Sequence, residues 1–416
     1  MQEIPYTFMS ANRLPKLPTL EALPPDLAGK RVLVRIDLND GGHTPTAVQH
    51  RMLATLPTLQ HLLSRGARVV LLTHRGRPQG RVVPQLSTAP LADELSKLLG
   101  QSVEFIPDCI GRIAQTAVQA LVPGQVIMLE NTRFHLGEQL NQAPFAAQLA
   151  ELGDLLVNEA FACAHRTQAS TNGLAALLPT VLGYQFVQEL KWLSNWQQAP
   201  QPRALLVGGN AVLPKLELLQ RSLGQTQIML LGGVVGQTFL AAKDLHLRQS
   251  LIEFGAVEGA REFLAEAGVL GCRVHLPRDL AVANQTTPGL CAGIRAPHLL
   301  EEGEVAQDLG STTLATWQRV LSDTPSVVWF GSLGVWQQKE FRAGTLELAK
   351  VLLAKQRRRP STFTLLGGNG LLQALNAEGL LEPLVAAGIA VSTGGGALQQ
   401  ALCGHPLPGV QALAKA

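Results

Sequence analysis

Short, nearly continuous apolar runs recur along this chain, and each stops abruptly at polar residues or at glycine. A strand with one wet face alternates apolar and polar residues. Runs that stay apolar predict strands covered on both faces, as in parallel sheets joined by crossover helices. In the first half they lie at 31–36, 68–73, 126–130 and 154–158; in the second at 204–207, 228–231, 273–276, 327–330, 363–366 and 389–392. Amphipathic stretches separate them. In residues 52–65, Leu53, Leu56, Leu59 and Leu63 recur at spacings of three and four, predicting one apolar stripe that packs on the sheet; 92–99 and 143–152 read the same way. The chain is therefore expected to be α/β.

A polar break, Gln197-Gln198-Ala199-Pro200-Gln201-Pro202, follows the amphipathic stretch 186–196 and precedes a new series of strands. Its composition is that of an interdomain connection. The expected organisation is a first lobe at 1–185, a connecting helix and linker at 186–200, a second lobe at 201–395 and a terminal segment at 396–416 returning to the first lobe. Residues 284–310, with Pro288, Gly289, Gly293 and Pro297, read as a long surface loop region. The first sixteen residues read as a short tail.

With 416 residues and 46% hydrophobic content, two or three domains can each bury a core. Lys plus Arg (34) against Asp plus Glu (31) leaves +3, with only 16% of residues charged, so no global basic field points to nucleic acid. Cys109, Cys163, Cys272, Cys291 and Cys403 are scattered without Cys-x-x-Cys spacing, which argues against a disulfide framework or a zinc site. The first twenty residues carry no apolar core behind a basic head, and no apolar run approaches the roughly 18 residues that span a bilayer. A soluble, cytoplasmic protein without membrane contact is expected.

In an open α/β sheet the ligand crevice lies at the carboxyl ends of the strands. Asp37-Leu38-Asn39 follows the first run, His74-Arg75-Gly76-Arg77-Pro78 the second, Asn131-Thr132-Arg133-Phe134-His135 the third, and a loop containing His165-Arg166 the fourth; Arg51 opens the first crossover helix. A single arginine at a strand end is usually a surface ion-pair member, His74 alone could be a capping or core histidine, and His135, following Phe134 in what reads as a packed turn, fits a capping or core histidine better still. Recurrence at several strand ends points instead to an anion, because arginine grips carboxylate and phosphate in bidentate fashion.

Arg31-Val-Leu-Val-Arg-Ile-Asp-Leu-Asn39, Thr73-His-Arg-Gly-Arg-Pro78, Leu129-Glu-Asn-Thr-Arg-Phe-His135 and Val157-Asn-Glu-Ala-Phe-Ala-Cys-Ala-His-Arg166 resemble, in order, the substrate-domain signatures of the phosphoglycerate kinase family. The likeness continues through 331–335, 392–397 and 407–410. It implies two Rossmann-like lobes, each a parallel sheet flanked by helices, joined by a hinge helix. It also implies that Asp37, Asn39, Arg51, His74, Arg77, Arg133 and Arg166 hold 3-phosphoglycerate or 1,3-bisphosphoglycerate, with Arg51 at a catalytic position. A monomer is the expected state.

The resemblance places ADP or ATP with Mg²⁺ on the second lobe, at Lys215 and the turns Gly208-Gly209, Gly232-Gly233, Gly367-Gly368 and Gly394-Gly395-Gly396. Missing β-carbons let backbone N–H groups approach phosphates there, although ordinary tight strand-to-helix packing explains any one such turn as well. Ala211 occupies the family position of the lysine that contacts the transferred phosphoryl group, and Phe330-Gly331-Ser332 stands for Asn-Gly-Pro. Gln337 replaces the ribose-binding acid, while Gly370 and Leu371 replace the acid that serves the metal nucleotide and a phosphate-binding hydroxyl. Asp279 and Asp308 are candidates to supply an oxygen ligand instead, and Arg75, usually apolar at that position, to supply positive charge. Two readings follow: phosphoryl transfer between 1,3-bisphosphoglycerate and ADP, or a catalytically inactive phosphoglycerate-binding regulator. A third, an unrelated two-domain enzyme acting on another phosphorylated acid, leaves the ordered motifs unexplained.

Overall fold

The computed structural model describes residues 17–40, 49–285 and 287–413. The described residues through Lys191, with those from His405 onward, form one compact unit; Trp192–Gly404 form a second.

The first unit runs β1 (Arg31–Arg35), α1 (Gln49–Ser64), β2 (Arg68–Leu72), α2 (Ala89–Leu99), β3 (Val103–Ile106), α3 (Gly111–Ala120), β4 (Val126–Leu129), α4 (Leu136–Gln139), α5 (Ala143–Ala150), β5 (Leu155–Asn158), β6 (Thr180–Leu182) and into α6 (Tyr184–Gln198). Its sheet has the order β3-β4-β2-β1-β5-β6, parallel at every pairing. Every side chain of β4 and β5 is buried, as are the last four of β1 and β2. Burying each Val, Leu or Ile is worth roughly 1.5–3 kcal/mol, so this pattern commits both faces of the sheet to helix cover.

In α1 the buried stripe is rotated from the expected one. Met52, Thr55, Thr58, Leu59 and Leu62 face inward, Leu56 and Leu63 are partly buried against the core, and Leu53 is 50% exposed. Leucine spacing alone misplaced the face because two threonines belong to it.

The second unit runs β7 (Arg203–Val207), α7 (Leu213–Ser222), β8 (Ile228–Leu231), α8 (Gly233–Ala241), α9 (Val257–Val269), β9 (Arg273–His275), β10 (Leu280–Asn284), β11 (Thr287–Arg295), β12 (Glu304–Leu309), α10 (Ser311–Asp323), β13 (Ser326–Phe330), α11 (Ala343–Arg358), β14 (Phe363–Gly367), α12 (Asn369–Ala377), α13 (Leu381–Ala386), β15 (Ala390–Val391) and α14 (Gly396–Leu402). Its main sheet has the order β15-β14-β13-β7-β8-β9, also parallel. The division between units falls inside α6, and α15 (Pro408–Gln411) lies with the first unit while α14 lies with the second.

The expected surface loop at 284–310 is instead largely strand: β11 and β12 flank β10 in an antiparallel three-stranded sheet. Pairing there is irregular, with register shifts along β10, and Gly289 and Gly293 take φ of +89° and +150°. Glycine here marks bulged pairing, not missing pairing. No helix among the described residues is long and apolar enough to cross a membrane.

Candidate functional site: a cationic crevice and a set of glycine turns

In the first unit the ends of β1, β2, β4 and β5 carry the polar loops. Arg35, the last residue of β1, is fully buried. Its Nε donates to Ser170 Oγ at 2.7 Å, Ser170 Oγ donates to Glu138 Oε1 at 2.6 Å, and one guanidinium nitrogen lies 3.0 Å from His74 Nδ1. A guanidinium only donates, so Nδ1 is the acceptor and the imidazole carries its proton on Nε2. Burial first, then the charges of Arg133, Arg35, Arg166 and Arg51, hold His74 well below the usual histidine range. Four guanidinium groups therefore act on one neutral, buried imidazole.

Arg51 pairs with Asp37, which also lies 3.9 Å from His74. Buried Arg133 donates to Gly76 O at 2.8 Å, while its Nε has no protein partner. Burial and the neighbouring Arg166 and Arg35 lower its pKa to about 10. Burial is the larger cause, and the neighbouring guanidinium groups add to it. Arg166 donates to His165 Nε2 at 3.1 Å, and His165 is pushed down to about 4 by burial and then by Arg166. Asn39 Oδ1 accepts from Gly76 N at 2.8 Å, tying the first polar loop to the second.

Six of the seven expected residues are thus joined by charge or hydrogen bonding around these loops. Arg77 is exposed and is not among the cations that depress His74. Arg35 was missed in the sequence; the available signal was an arginine inside a run whose neighbours are all buried. Arg75 supplies no loose charge. It is buried against Asp40, with bonds of 2.7–3.0 Å to both carboxylate oxygens, and also donates to Gln85 O and Ser87 O. His135 is no core histidine, being partly exposed and 2.9 Å from Asp108.

In the second unit, backbone meets backbone where the strands end. Gly208 N donates to Phe330 O, and Gly209 N to Ser332 O, both at 2.7 Å. Gly233 has φ +57°, and a β-carbon there would stand 2.9 Å from Gly209 N. Gly367-Gly368 leads into α12, Gly232 caps α8, and Gly395 caps α14. Lys215, in the first turn of α7, is half-buried with Nζ over Gly209; burial lowers it to about 8, with Glu253 opposing. The Glu253 carboxylate accepts from Val212 N at 2.6 Å and Leu213 N at 3.3 Å. Ala211 and Gln337 are exposed.

A metal nucleotide would require an acid here, and the residues present do not fit one at the expected place. The nearest atom to a β-carbon on Gly370 would be Ser332 Oγ at 3.8 Å. Asp279 is committed to Thr312 N, Thr313 N and the Thr313 hydroxyl at the start of α10. Asp308 is buried, accepts from Leu309 N and Gly344 N, and is pushed up to about 7 by burial. Among the described residues, groups of three metal-ligating side chains occur only in the first unit.

The phosphoglycerate kinase family model matches residues 21–405. The phosphoglycerate kinase of Caulobacter sp. (strain K31) is 40% identical over 392 residues, 93% of this chain and 97% of that protein. That of Azorhizobium caulinodans is 41% identical over 402 residues, 95% of this chain and 100% of that protein. The structure of phosphoglycerate kinase from Coxiella burnetii superposes with a TM-score of 0.77 at 32% identity, covering 96% of this chain and 99% of that one. With the family-model match, about 40% identity to curated relatives and near-complete coverage in agreement, the chain belongs to the phosphoglycerate kinase family.

Proposed function

We propose that the protein transfers a phosphoryl group between 1,3-bisphosphoglycerate and ADP, giving 3-phosphoglycerate and ATP, at a turnover limited by Ala211. The observation that carries this reading is the convergence of Arg35, Arg51, Arg133 and Arg166 on neutral His74. Buried positive charge of this kind is relieved by an anion, and guanidinium forks suit a small acid with carboxylate and phosphate ends. His74 contributes Nε2–H as a donor, Asp37 orients Arg51, and Arg133 offers its unpartnered Nε. Asn39 and Arg77 would border the same ligand. In the second unit the glycine turns at 208–209, 232–233, 367–368 and 394–396 would receive the nucleotide, with Lys215 near its phosphates. No step is assigned to a metal. The reading extends to a monomeric, cytoplasmic protein acting on small molecules, consistent with five free cysteines and a net charge of +3.

Losing one transition-state charge clamp lowers phosphoryl-transfer rates by roughly 10³–10⁵. Ala211→Lys is therefore expected to raise kcat by about 10³ or more, read as ATP formation from the acyl phosphate and ADP. Calorimetry should show 3-phosphoglycerate binding that weakens with salt; no heat in dilute buffer would sink the crevice reading. A phosphoglycerate-binding protein without turnover is favoured by one observation, the absence of side-chain oxygen or ammonium at Ala211 and Gly370. Binding of the acid with no ATP formed, by the wild type or by Ala211→Lys, would establish that second reading.

A further inference from the structure

A second group of coordinating side chains lies in the first unit, outside the cationic crevice. Asp108 and Cys109 follow β3 and lead into α3, while His135 stands before α4, just after the turn that carries Arg133. They are far apart in sequence but close in space because β3 and β4 are parallel neighbours, so the loops leaving both strands emerge at the same end of the sheet. His135 Nε2 lies 2.9 Å from Asp108 Oδ1, and one ligand atom from each of the three residues lies within 4.8 Å of the others.

These distances can be compared with a metal's demands. Two nitrogen or oxygen ligands held tetrahedrally on zinc at about 2.0–2.2 Å are about 3.4 Å apart, and a thiolate sulfur stands about 3.6 Å from either. Admitting an ion requires the His135–Asp108 pair to open by about half an ångström. Both side chains are about a third exposed, at 33% and 37%, which gives them room to do so and gives an ion a route in. The Cys109 thiol is buried behind them.

We propose that Asp108, Cys109 and His135 bind one divalent cation of the zinc class, with water completing the coordination. A thiolate with an imidazole selects zinc-like ions over Mg²⁺ or Ca²⁺, which prefer oxygen alone. On binding, the thiol proton leaves to solvent and the imidazole proton resides on Nδ1, so that sulfur and Nε2 each donate a lone pair. The ion would pin the loop after β3 to the segment bearing Arg133. The site was invisible to cysteine spacing because its ligands come from two separate loops and only one is a cysteine.

The test uses the full chain, reduced and stripped with chelator, then titrated with Co²⁺ as a spectroscopic substitute for zinc. The expected result is one equivalent bound, with a thiolate-to-cobalt charge-transfer band and strong tetrahedral d–d bands, both removed by one equivalent of Zn²⁺. Cys109→Ser should abolish the charge-transfer band. His135→Gln, at a partly exposed position that leaves the core intact, should weaken Co²⁺ binding at least about 10–100-fold. Cys291→Ser, which removes the exposed thiol, should change nothing. A wild-type chain without the charge-transfer band, a band that survives Cys109→Ser, or unchanged affinity in His135→Gln would each overturn the proposal.

Discussion

Arg133 concentrates the electrostatic problem of the crevice in one side chain: buried, lowered to about 10, and holding an Nε without a protein partner. Arg133→Lys keeps the charge and loses the planar fork. A hydrogen bond to a charged group contributes roughly 1.5–3 kcal/mol, so the Kd for 3-phosphoglycerate should rise about 10–100-fold by calorimetry; unchanged affinity would place the ligand elsewhere. Glu159 poses the opposite problem. It is buried, with Thr58 Oγ1 donating to it at 2.7 Å and Gln185 N and Phe186 N at 3.2 and 3.4 Å, yet burial outweighs these bonds and pushes it up to about 8. Between its ordinary pKa of 4.5 and about 8, the folded chain retains a proton that the unfolded chain has released. Glu159 thus supports stability below pH 4.5, and that support is lost as pH rises through about 8. Glu159→Gln, a neutral mimic, should make the urea midpoint less sensitive to pH from 5 to 8. Parallel pH profiles for the two proteins would refute the assignment.

At the scale of elements, the buried pair Asp40–Arg75 fastens the loop after β1 to the loop after β2, and Arg75 extends the tie to Gln85 and Ser87. Those two loops present Asp37, Asn39 and His74, so the pair acts on the crevice by positioning it. Removing one partner of a buried pair costs about 3–5 kcal/mol, whereas an apolar replacement of both is often nearly neutral. Asp40→Val and Arg75→Leu should each lower unfolding free energy by about that much, and the double variant should recover a large part of it; strict additivity in chemical denaturation would show that no coupling exists. The same pair shows how far sequence could be read. Most parallel strands were legible because a run buried on both faces is apolar at nearly every position, as in β2 and β13, whereas the short edge strands β3 and β6 were not read. Nor were β10 to β12: β11 carries Pro288, Gly289 and Gly293, which imitate loop composition, and β10 and β12 are short strands read as part of or beside that loop. Strand ends disclosed His74 and Arg133, and the start of the first crossover helix Arg51, as candidates, but partners that come from distant segments, such as Asp40 for Arg75 or Ser170 for Arg35, have no local signature.

On the scale of the whole chain, the first unit is completed by residues that follow the entire second unit in sequence. From His405 the chain packs with that unit, where Gly409 N donates to Ala164 O at 2.8 Å and Pro408 O accepts from Asn172 Nδ2 at 3.0 Å. Leu407, Val410 and Leu413 are buried as well. Ala164 immediately precedes His165 and Arg166, so the terminal segment braces the loop that brings Arg166 to the crevice. Gly409 permits this contact: a β-carbon there would lie 3.0 Å from the Ala164 Cα, against backbone that cannot rotate away. Overpacking of this kind costs typically about 1–3 kcal/mol. Gly409→Val should therefore loosen α15, lower the stability of the first unit by that order, and weaken 3-phosphoglycerate binding several-fold or more. Nucleotide binding, which belongs to the second unit in the reading given above, should be unaffected. Titrating the variant with each ligand separately distinguishes the outcomes. Loss confined to the acid supports the brace, equal loss of both ligands indicates general unfolding, and wild-type affinity for both would show that the Arg166 loop holds its shape unaided.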